Sequence, residues 1–284
     1  YISLVKFSHT LFAMPFALIG FALSFAINDT PFTVRLLVLI LLAMVSARNA
    51  AMGFNRYLDR DIDALNPRTK GREIPAGIIS AKSALIFVVI NCLIFVMVAL
   101  LINRLCFVLA FPALGVLLGY SYMKRVSSLS HYVLGAALAI APSGAYIAVT
   151  GRLDIAPVLL SFLVFFWVSG FDIIYSLSDV AFDRNNSLHS VPSAVGLKRA
   201  LHISSAGHLM IVPLLALFYF EVNRDGGGLG WIYIIGSAIF LMLLLWQHLI
   251  VSPKDLSRVN AAFFTANGIA SVIFALFTIT DLII

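Results

Sequence analysis

The sequence predicts an all-α integral membrane protein, a single domain over residues 1–284, that crosses the bilayer nine times. Hydrophobic residues make up 61% of the 284-residue chain and charged residues 11%, whereas a soluble domain carries about 25% charged residues. The mean hydropathy is +1.02. Nine apolar stretches of about 18–22 residues are each long enough to cross a hydrocarbon core as a helix. They lie at residues 8–27, 35–54, 83–102, 105–122, 132–149, 157–177, 203–221, 230–249 and 259–282.

Polar breaks separate the first four stretches. The first stretch ends at the turn sequence 28–31, which contains Asn, Asp and Pro, and the second runs into a long charged segment at 55–82. The third ends at the short break 103–104, and the fourth is followed by the basic segment 123–131. Asn, Asp, Gly and Pro are typical turn formers, so each break is expected to end a helix.

The remaining breaks continue the same alternation of short and long connections. The fifth stretch ends at 150–152, and the sixth runs into the long segment 178–200. The glycine run 226–228 separates the seventh and eighth stretches, and the segment 250–258 precedes the ninth. These breaks complete the prediction of nine helices joined by alternating short and long connections.

Basic residues collect on one side of this nine-helix arrangement. Only Arg35, Arg104, Arg152 and Arg224 fall on the opposite side. The excess of Lys and Arg marks the cytoplasmic side, which puts the N-terminus in the cytoplasm and the C-terminus outside. We expect a bacterial inner or plasma membrane protein whose active site faces the cytoplasm. Because the chain begins at Tyr1 rather than Met, we also expect an N-terminal segment before it.

The first of two acidic clusters follows the second apolar stretch. Asn55, Asp59 and Asp63 stand four residues apart, so on a helix they share one face. Ionisable residues beside a membrane span are expensive and therefore usually functional. Oxygen ligands of this kind suit Mg²⁺, which in proteins uses one or two carboxylates together with substrate phosphates.

The second cluster follows the sixth stretch and has the same helical spacing. Asp179 and Asp183 are four residues apart, and Asp172 lies seven before Asp179, with Tyr175 on the same face. Both clusters fall on the predicted cytoplasmic side. Together they predict a membrane enzyme that handles a pyrophosphate with a divalent cation.

Basic residues near the clusters could bind phosphate oxygens. Ordinary positive-inside charge and an interfacial aromatic belt explain many of them as well. Arg48 lies seven residues before Asn55 and therefore deeper in the bilayer, where it could pair with an Asp or with a substrate carboxylate. The other candidates are Arg68, Lys70 and Arg72 after the first cluster, Tyr120, Tyr122, Lys124 and Arg125 after the fourth stretch, and His189 after the second cluster.

Taken together, the motifs resemble the two signatures of the UbiA superfamily of intramembrane prenyltransferases. The first signature corresponds to Asn55-xxx-Asp59-xxx-Asp63 with Arg68-Thr69-x-x-Arg72, and the second to Asp172-x-x-Tyr175 with Asp179-xxx-Asp183. Tyr120 with Lys124-Arg125, and Arg48, resemble further elements of the family pattern. The nine stretches agree too, so the resemblance covers nearly the whole chain.

The resemblance implies nine transmembrane helices around a central cavity and Mg²⁺-dependent transfer of a polyprenyl group from polyprenyl diphosphate to an aromatic acid. Asn55, Asp59, Asp63, Asp179 and Asp183 would bind the diphosphate through Mg²⁺. Phosphate contacts would come from Arg68, Arg72, Lys124 and Arg125. The acceptor end would be formed by Arg48, Tyr120, Asp172, Tyr175 and His189, with Asp172 able to remove a proton. The partners implied are the two substrates and the lipid bilayer; we expect no nucleic acid and infer no obligate protein partner.

The resemblance leaves two acceptors open. In the 4-hydroxybenzoate branch of ubiquinone biosynthesis a lysine usually follows the second signature, where this chain has His189. The His-Ser-x-Pro sequence at 189–192, with the opening 6–17, looks more like the futalosine branch of menaquinone biosynthesis, whose acceptor is 1,4-dihydroxy-6-naphthoate. In this chain Arg72 is followed by Glu-Ile-Pro, whereas in the family a Pro often follows that arginine immediately.

Two other function classes compete with this interpretation. A secondary transporter would carry its carboxylates midway along the spans, whereas these acids lie at span ends beside basic loops. A CDP-alcohol-type phosphotransferase also uses membrane aspartates with Mg²⁺. Its Asp-Gly-x-x-Ala-Arg element is absent from the sequence.

Overall fold

The computed structural model describes Leu4 and residues 10–28, 31–226 and 228–284, and these residues are mainly helical. Eight helical segments are long and apolar enough to cross a membrane. A shorter apolar helix covers the described part of the first predicted stretch. Each of the nine apolar stretches therefore contains a helix, and the predicted all-α membrane fold is confirmed.

Thirteen α-helices are described along the chain. They are α1 (Thr10–Ala26), α2 (Val34–Leu58), α3 (Arg60–Leu65), α4 (Ala81–Ile102), α5 (Arg104–Val126), α6 (Ser130–Thr150), α7 (Ile155–Ser176), α8 (Val180–Asn185), α9 (Val191–Val195), α10 (Leu197–Leu209), α11 (Ile211–Arg224), α12 (Trp231–Ile250) and α13 (Asn267–Ile283). A 3₁₀ turn, Leu177–Asp179, joins α7 to α8, and a π-helical turn, Ala261–Ala266, precedes α13. Helices α3, α8 and α9 lie in the two long connections that carry the acidic clusters, and we call this side of the bundle the motif end.

The seventh predicted stretch is two helices rather than one. Helix α10 ends at Leu209 and α11 begins at Ile211, with Met210 between them. Pro213 follows in the first turn of α11. Its ring removes one backbone donor and crowds the carbonyl of the residue four positions earlier, which favours a break at this point.

Close packing around α7 forms the main core. Trp167 is fully buried among aromatic side chains that include Phe16 and Phe171, with ring centroids 5.0 and 5.1 Å away. Glycines let α1 and α7 approach α6: a Cβ at Gly20 would lie 2.1 Å from the carbonyl oxygen of Pro142. Small residues at such crossings are the usual way for membrane helices to pack closely.

A large cavity lies between α2, α4 and α5 on one side and α6 and α7 on the other. Its volume is about 970 Å³, and most of its lining side chains are apolar. The outer faces of α4 and α5 carry exposed apolar side chains, among them Leu93, Met97 and Phe111. Such faces suit contact with lipid, so the helices enclose an apolar chamber within a membrane-facing shell.

Candidate functional site

The first acidic cluster is placed at a break between two helices. The spacing of Asn55, Asp59 and Asp63 indicates one helical face, and the structure places these residues on two helices, since α2 ends at Leu58 and α3 begins after Asp59. Aspartate competes with the backbone for hydrogen bonds and favours helix ends, which accounts for the break. The amide of Asp59 still donates to the carbonyl oxygen of Asn55 (2.9 Å), and the amide of Asp63 to that of Asp59 (2.7 Å), so the four-residue spacing is kept.

The second cluster is broken in the same way. Helix α7 ends at Ser176, the 3₁₀ turn contains Asp179, and α8 contains Asp183. Both carboxylates are buried, and Asp183 has no exposed surface. A buried carboxylate is costly unless a cation or a set of donors compensates it, so its partners decide what this site can do.

Arg68 joins the two clusters. Its Nε lies 3.1 Å from Oδ1 of Asp179 and its Nη2 lies 2.5 Å from Oδ2, which makes a bidentate pair. Its Nη1 also donates to the hydroxyl of Tyr175 at 2.6 Å. Burial lowers the pKa of Arg68, but Asp179 and Tyr175 outweigh it and hold this pKa above its usual value. A basic residue of the first signature thus binds the second signature across 111 positions.

Three more ion pairs complete the motif end. Arg72 Nη1 lies 2.6 and 2.7 Å from the two carboxylate oxygens of Asp63. Arg125 reaches Oδ1 of Asp59 at 3.2 Å, and Nζ of Lys124 lies 2.8 Å from Oδ1 of Asp183. The four predicted acids therefore pair one to one with the four predicted phosphate-binding bases.

Burial and neighbouring charges shift the pKa of Asp59. Removal from water and the nearby charge of Asp63 raise the pKa of the Asp59 carboxyl, while Arg125 and Lys124 oppose this rise. The side chain of Asn55 donates to Oδ2 of Asp59 at 3.0 Å. The site thus holds closely spaced acids whose repulsion is offset by neighbouring bases.

The side-chain oxygens of the site are chemically suited to bind a hard cation. Carboxylate and amide oxygens are the ligands that Mg²⁺ prefers, and Oδ2 of Asp183 lacks a hydrogen-bond donor among the described residues, while Oδ1 lies beside the ammonium of Lys124. Within these residues no three Asp, Glu, His or Cys side chains converge as a metal-binding group. Ion pairing accounts for this arrangement, because each acid turns toward its own base.

The paired acids border one end of the large cavity. Asn55, Arg72 and Tyr175 contact the ion-paired group and also line the cavity. The predicted acceptor residues Arg48, Tyr120 and Asp172 line the cavity as well. The structure thus brings a charged end and an apolar chamber together.

Among the predicted acceptor residues, His189 is the one that does not line the cavity. Its side chain is exposed at the motif end, and it is not among the residues that line the chamber. Its backbone amide donates to the carbonyl oxygen of Lys124 at 2.8 Å. This backbone contact holds the connection after α8 against the end of α5.

Three residues near the site had no clear signal in the sequence. Arg56 is only 4% exposed, lines the cavity, and has an Nε–H without an acceptor among the described residues. Its direct adjacency to Asn55 was the one available hint. Phe263 stacks on Tyr175 with ring centroids 4.1 Å apart, and His131 lies 2.6 Å from Asp172. Both of these contacts join distant parts of the chain.

Known proteins resemble this chain in both sequence and structure. A family model described as the UbiA prenyltransferase family matches residues 13–269. A 4-hydroxybenzoate octaprenyltransferase of Nitrosomonas europaea is 30% identical over 243 residues, which are 84% of this chain and 80% of that protein. A protein of the same name from Yersinia pseudotuberculosis is 29% identical over 247 residues, 84% of this chain and 81% of that protein.

Solved structures share the fold. The apo structure of a UbiA homolog from Aeropyrum pernix K1 has a TM-score of 0.83 and 33% identity, covering 96% of this chain and 98% of that chain. A UbiA homolog from Archaeoglobus fulgidus bound to GPP and Mg²⁺ has a TM-score of 0.70 and 21% identity, and the match covers 100% of this chain and 99% of that chain. At 21% identity, this likeness shows a shared fold.

Proposed function

Because the chain belongs to the UbiA prenyltransferase family, we propose that this multi-pass membrane prenyltransferase moves a polyprenyl group from its diphosphate to a hydroxylated aromatic acid in quinone biosynthesis. The observation that supports the proposal most strongly is the pairing of Arg68 with Asp179. It joins both acidic clusters into one charged site beside an apolar cavity. A substrate with a charged head and a long hydrocarbon tail matches those two environments.

The charged end would hold the diphosphate. Asn55, Asp59, Asp63, Asp179 and Asp183 would hold Mg²⁺, which would supply positive charge to the leaving diphosphate. The acids and bases of the site neutralise one another in pairs, so a diphosphate needs added positive charge to bind there. With a divalent cation on the carboxylates, Arg68, Arg72, Lys124 and Arg125 become free to donate to phosphate oxygens.

The cavity would hold the reacting end of the prenyl group and exclude water. As the allylic C–O bond breaks, its electron pair leaves with the diphosphate and positive charge develops on the prenyl carbon. Water would trap such a carbon, and apolar walls keep it out. The rings of Phe171, Tyr175 and Phe263 line this chamber, and an aromatic face can stabilise a nearby cation by roughly 1–2 kcal/mol.

The acceptor would bind beside Asp172. Its electron-rich ring attacks the prenyl carbon ortho to a phenolic hydroxyl, and Asp172 takes the ring proton as a general base. Arg48 lines the same cavity and would pair with the acceptor carboxylate. Tyr120 and Tyr175 would contact the ring, whereas the exposed His189 is not included in this site.

Two acceptors fit the proposal. The relatives of this chain that are about 30% identical carry the name 4-hydroxybenzoate octaprenyltransferase, which supports 4-hydroxybenzoate. The His-Ser-Val-Pro sequence at 189–192 resembles the menaquinone branch and supports 1,4-dihydroxy-6-naphthoate. Both are hydroxylated aromatic acids, so the same arrangement of base and arginine serves either one. The excess of basic residues at the motif end supports a cytoplasmic orientation of this site.

A single assay tests the reaction and identifies the acceptor. Purified protein in detergent would receive Mg²⁺, geranyl diphosphate and an equal mixture of the two acids, with products read by mass spectrometry. We expect one prenylated acid, absent when EDTA is added, whose mass names the acceptor. Intact diphosphate and no product, across several prenyl lengths, would contradict the proposal and favour a transporter.

A further inference from the structure

His131 is a buried histidine that lies directly behind Asp172. It belongs to the first turn of α6, is only 3% exposed, and its Nδ1 lies 2.6 Å from Oδ2 of Asp172. Asp172 lines the large cavity, whereas His131 does not. The imidazole therefore contacts the acid from outside the lining of the cavity.

A backbone amide fixes which nitrogen of His131 carries the proton. The amide nitrogen of Val191 lies 3.2 Å from Nε2 of His131. An amide N–H can only donate, so Nε2 accepts and carries no proton. The proton of a neutral imidazole then sits on Nδ1, which donates to Oδ2 of Asp172. Asp172 is thus the acceptor in this pair, the role of an ionised carboxylate.

The amide of Val191 is itself held in place. Val191 is the first residue of α9, where amides have no partner within the helix. Ser190 and Ser193 form a reciprocal capping box at this start, and the amide of His189 is bound to Lys124. The connection that follows the second acidic cluster therefore presents one fixed donor to the imidazole.

A glycine sets the distance between the two helices that carry the pair. Gly135 lies one turn after His131, and a Cβ there would be 2.2 Å from Oγ of Ser169 and 2.7 Å from the carbonyl oxygen of Phe165. Only a residue without a side chain allows α6 to approach α7 this closely. This close approach brings His131 within hydrogen-bond distance of Asp172.

We propose that His131 is a positioning residue that orients the carboxylate of Asp172 as the base for the acceptor ring. This inference rests on the proposed prenyl transfer. After the C–C bond has formed, the prenylated ring carbon carries one hydrogen too many. Its proton passes to Oδ1 of Asp172, and the C–H electron pair restores the aromatic ring. The diphosphate has already left with its own electron pair, and His131 keeps the Nδ1 proton throughout.

A kinetic isotope effect separates this role from a merely structural one. The acceptor would be deuterated at the positions ortho to its hydroxyl groups, and kcat and KM would be measured with geranyl diphosphate. In His131→Ala we expect kcat to fall about 10–100-fold, with the KM of geranyl diphosphate unchanged within about twofold. The isotope effect on kcat should exceed the wild-type value and reach about 2 or more, because slower proton removal becomes rate-limiting.

His131→Asn and His131→Gln make a matched pair. The amide of asparagine sits near the position of Nδ1 and can still donate to Asp172, so this variant should keep an isotope effect and a kcat close to wild type. Glutamine places its amide nearer the position of Nε2 and should behave like alanine. If His131→Ala does not fold, the comparison between these two variants decides.

The outcomes distinguish the two proposals. Wild-type protein that yields no prenylated product would remove the proposed function and this inference together. An active wild type whose His131→Ala and His131→Gln variants show an unchanged isotope effect would overturn the role of His131 alone. Loss of activity in His131→Asn equal to that in His131→Gln would do the same, since the retained donor would then not matter.

Discussion

Removing the amino group of Lys124 should destabilise the protein far more than the exposure of that lysine suggests. Its Nζ lies 2.8 Å from Oδ1 of Asp183, a carboxylate with no exposed surface, and Oδ2 of that carboxylate has no hydrogen-bond donor among the described residues. Lys124→Met therefore leaves a buried charge without its counter-ion. Breaking a buried pair in this way costs about 3–5 kcal/mol. The opposite change, Asp183→Asn, leaves a lysine side chain that is 35% exposed and can reach water, so we expect about 1–2 kcal/mol.

Thermal unfolding of purified protein in detergent measures these differences. At roughly 2–4 °C per kcal/mol, Lys124→Met should unfold about 6–20 °C below wild type. The double variant Lys124→Met, Asp183→Asn removes both charges and should recover most of that loss. Lys70→Met is the matched control, since Lys70 is exposed and should change little. A double variant no more stable than Lys124→Met would refute the charge-pairing argument.

Three further predictions concern turnover, acceptor binding and helix packing. Asp59→Ala and Asp183→Ala should each abolish prenyl transfer while membrane insertion, read by fractionation, stays intact; normal activity in both would refute their role at the diphosphate. Arg48→Leu should raise the KM of the aromatic acid about 10–100-fold and leave that of geranyl diphosphate unchanged; the reverse pattern would move Arg48 to the diphosphate. Gly135→Ala should lower stability by about 1–3 kcal/mol, whereas Gly115→Ala, with open space around its Cβ position, should be neutral or stabilising by about 0.5–1 kcal/mol. Equal melting temperatures for the two glycine variants would contradict the close packing of α6 on α7.

The helices could be predicted because the bilayer allows few alternatives. A backbone in hydrocarbon must satisfy its hydrogen bonds within one segment, so each apolar stretch of sufficient length becomes a helix. The division at Met210 was available in principle from Pro213, because Pro is tolerated in the first turn of a helix but not in its interior. The break at Asp59 was harder to predict, since i, i+4 spacing reads the same in one helix and in two helices joined by one residue.

Most residues of the site could be predicted from the sequence, but the contacts between them could not. The sequence placed the acids at the ends of apolar stretches, yet nothing near Arg68 in the sequence indicates that it binds Asp179 rather than Asp63, which is only five residues away. The contact of His131 with Asp172 spans 41 residues and depends on how closely α6 packs on α7. Arg56 remained ambiguous for another reason: a cation beside a charged connection also fits the ordinary positive-inside pattern.

The central claim is that both acidic clusters build one diphosphate site. Isothermal titration of purified protein with geranyl S-thiolodiphosphate, whose sulfur slows ionisation, tests it in the presence of Mg²⁺. One site made by both clusters predicts a single binding event that EDTA removes, and an affinity at least about tenfold weaker in Asp59→Asn and in Asp179→Asn alike. Asp154→Asn, at an acid that pairs with Arg152 away from the clusters, should bind as wild type. Wild-type affinity in either cluster variant would contradict the claim.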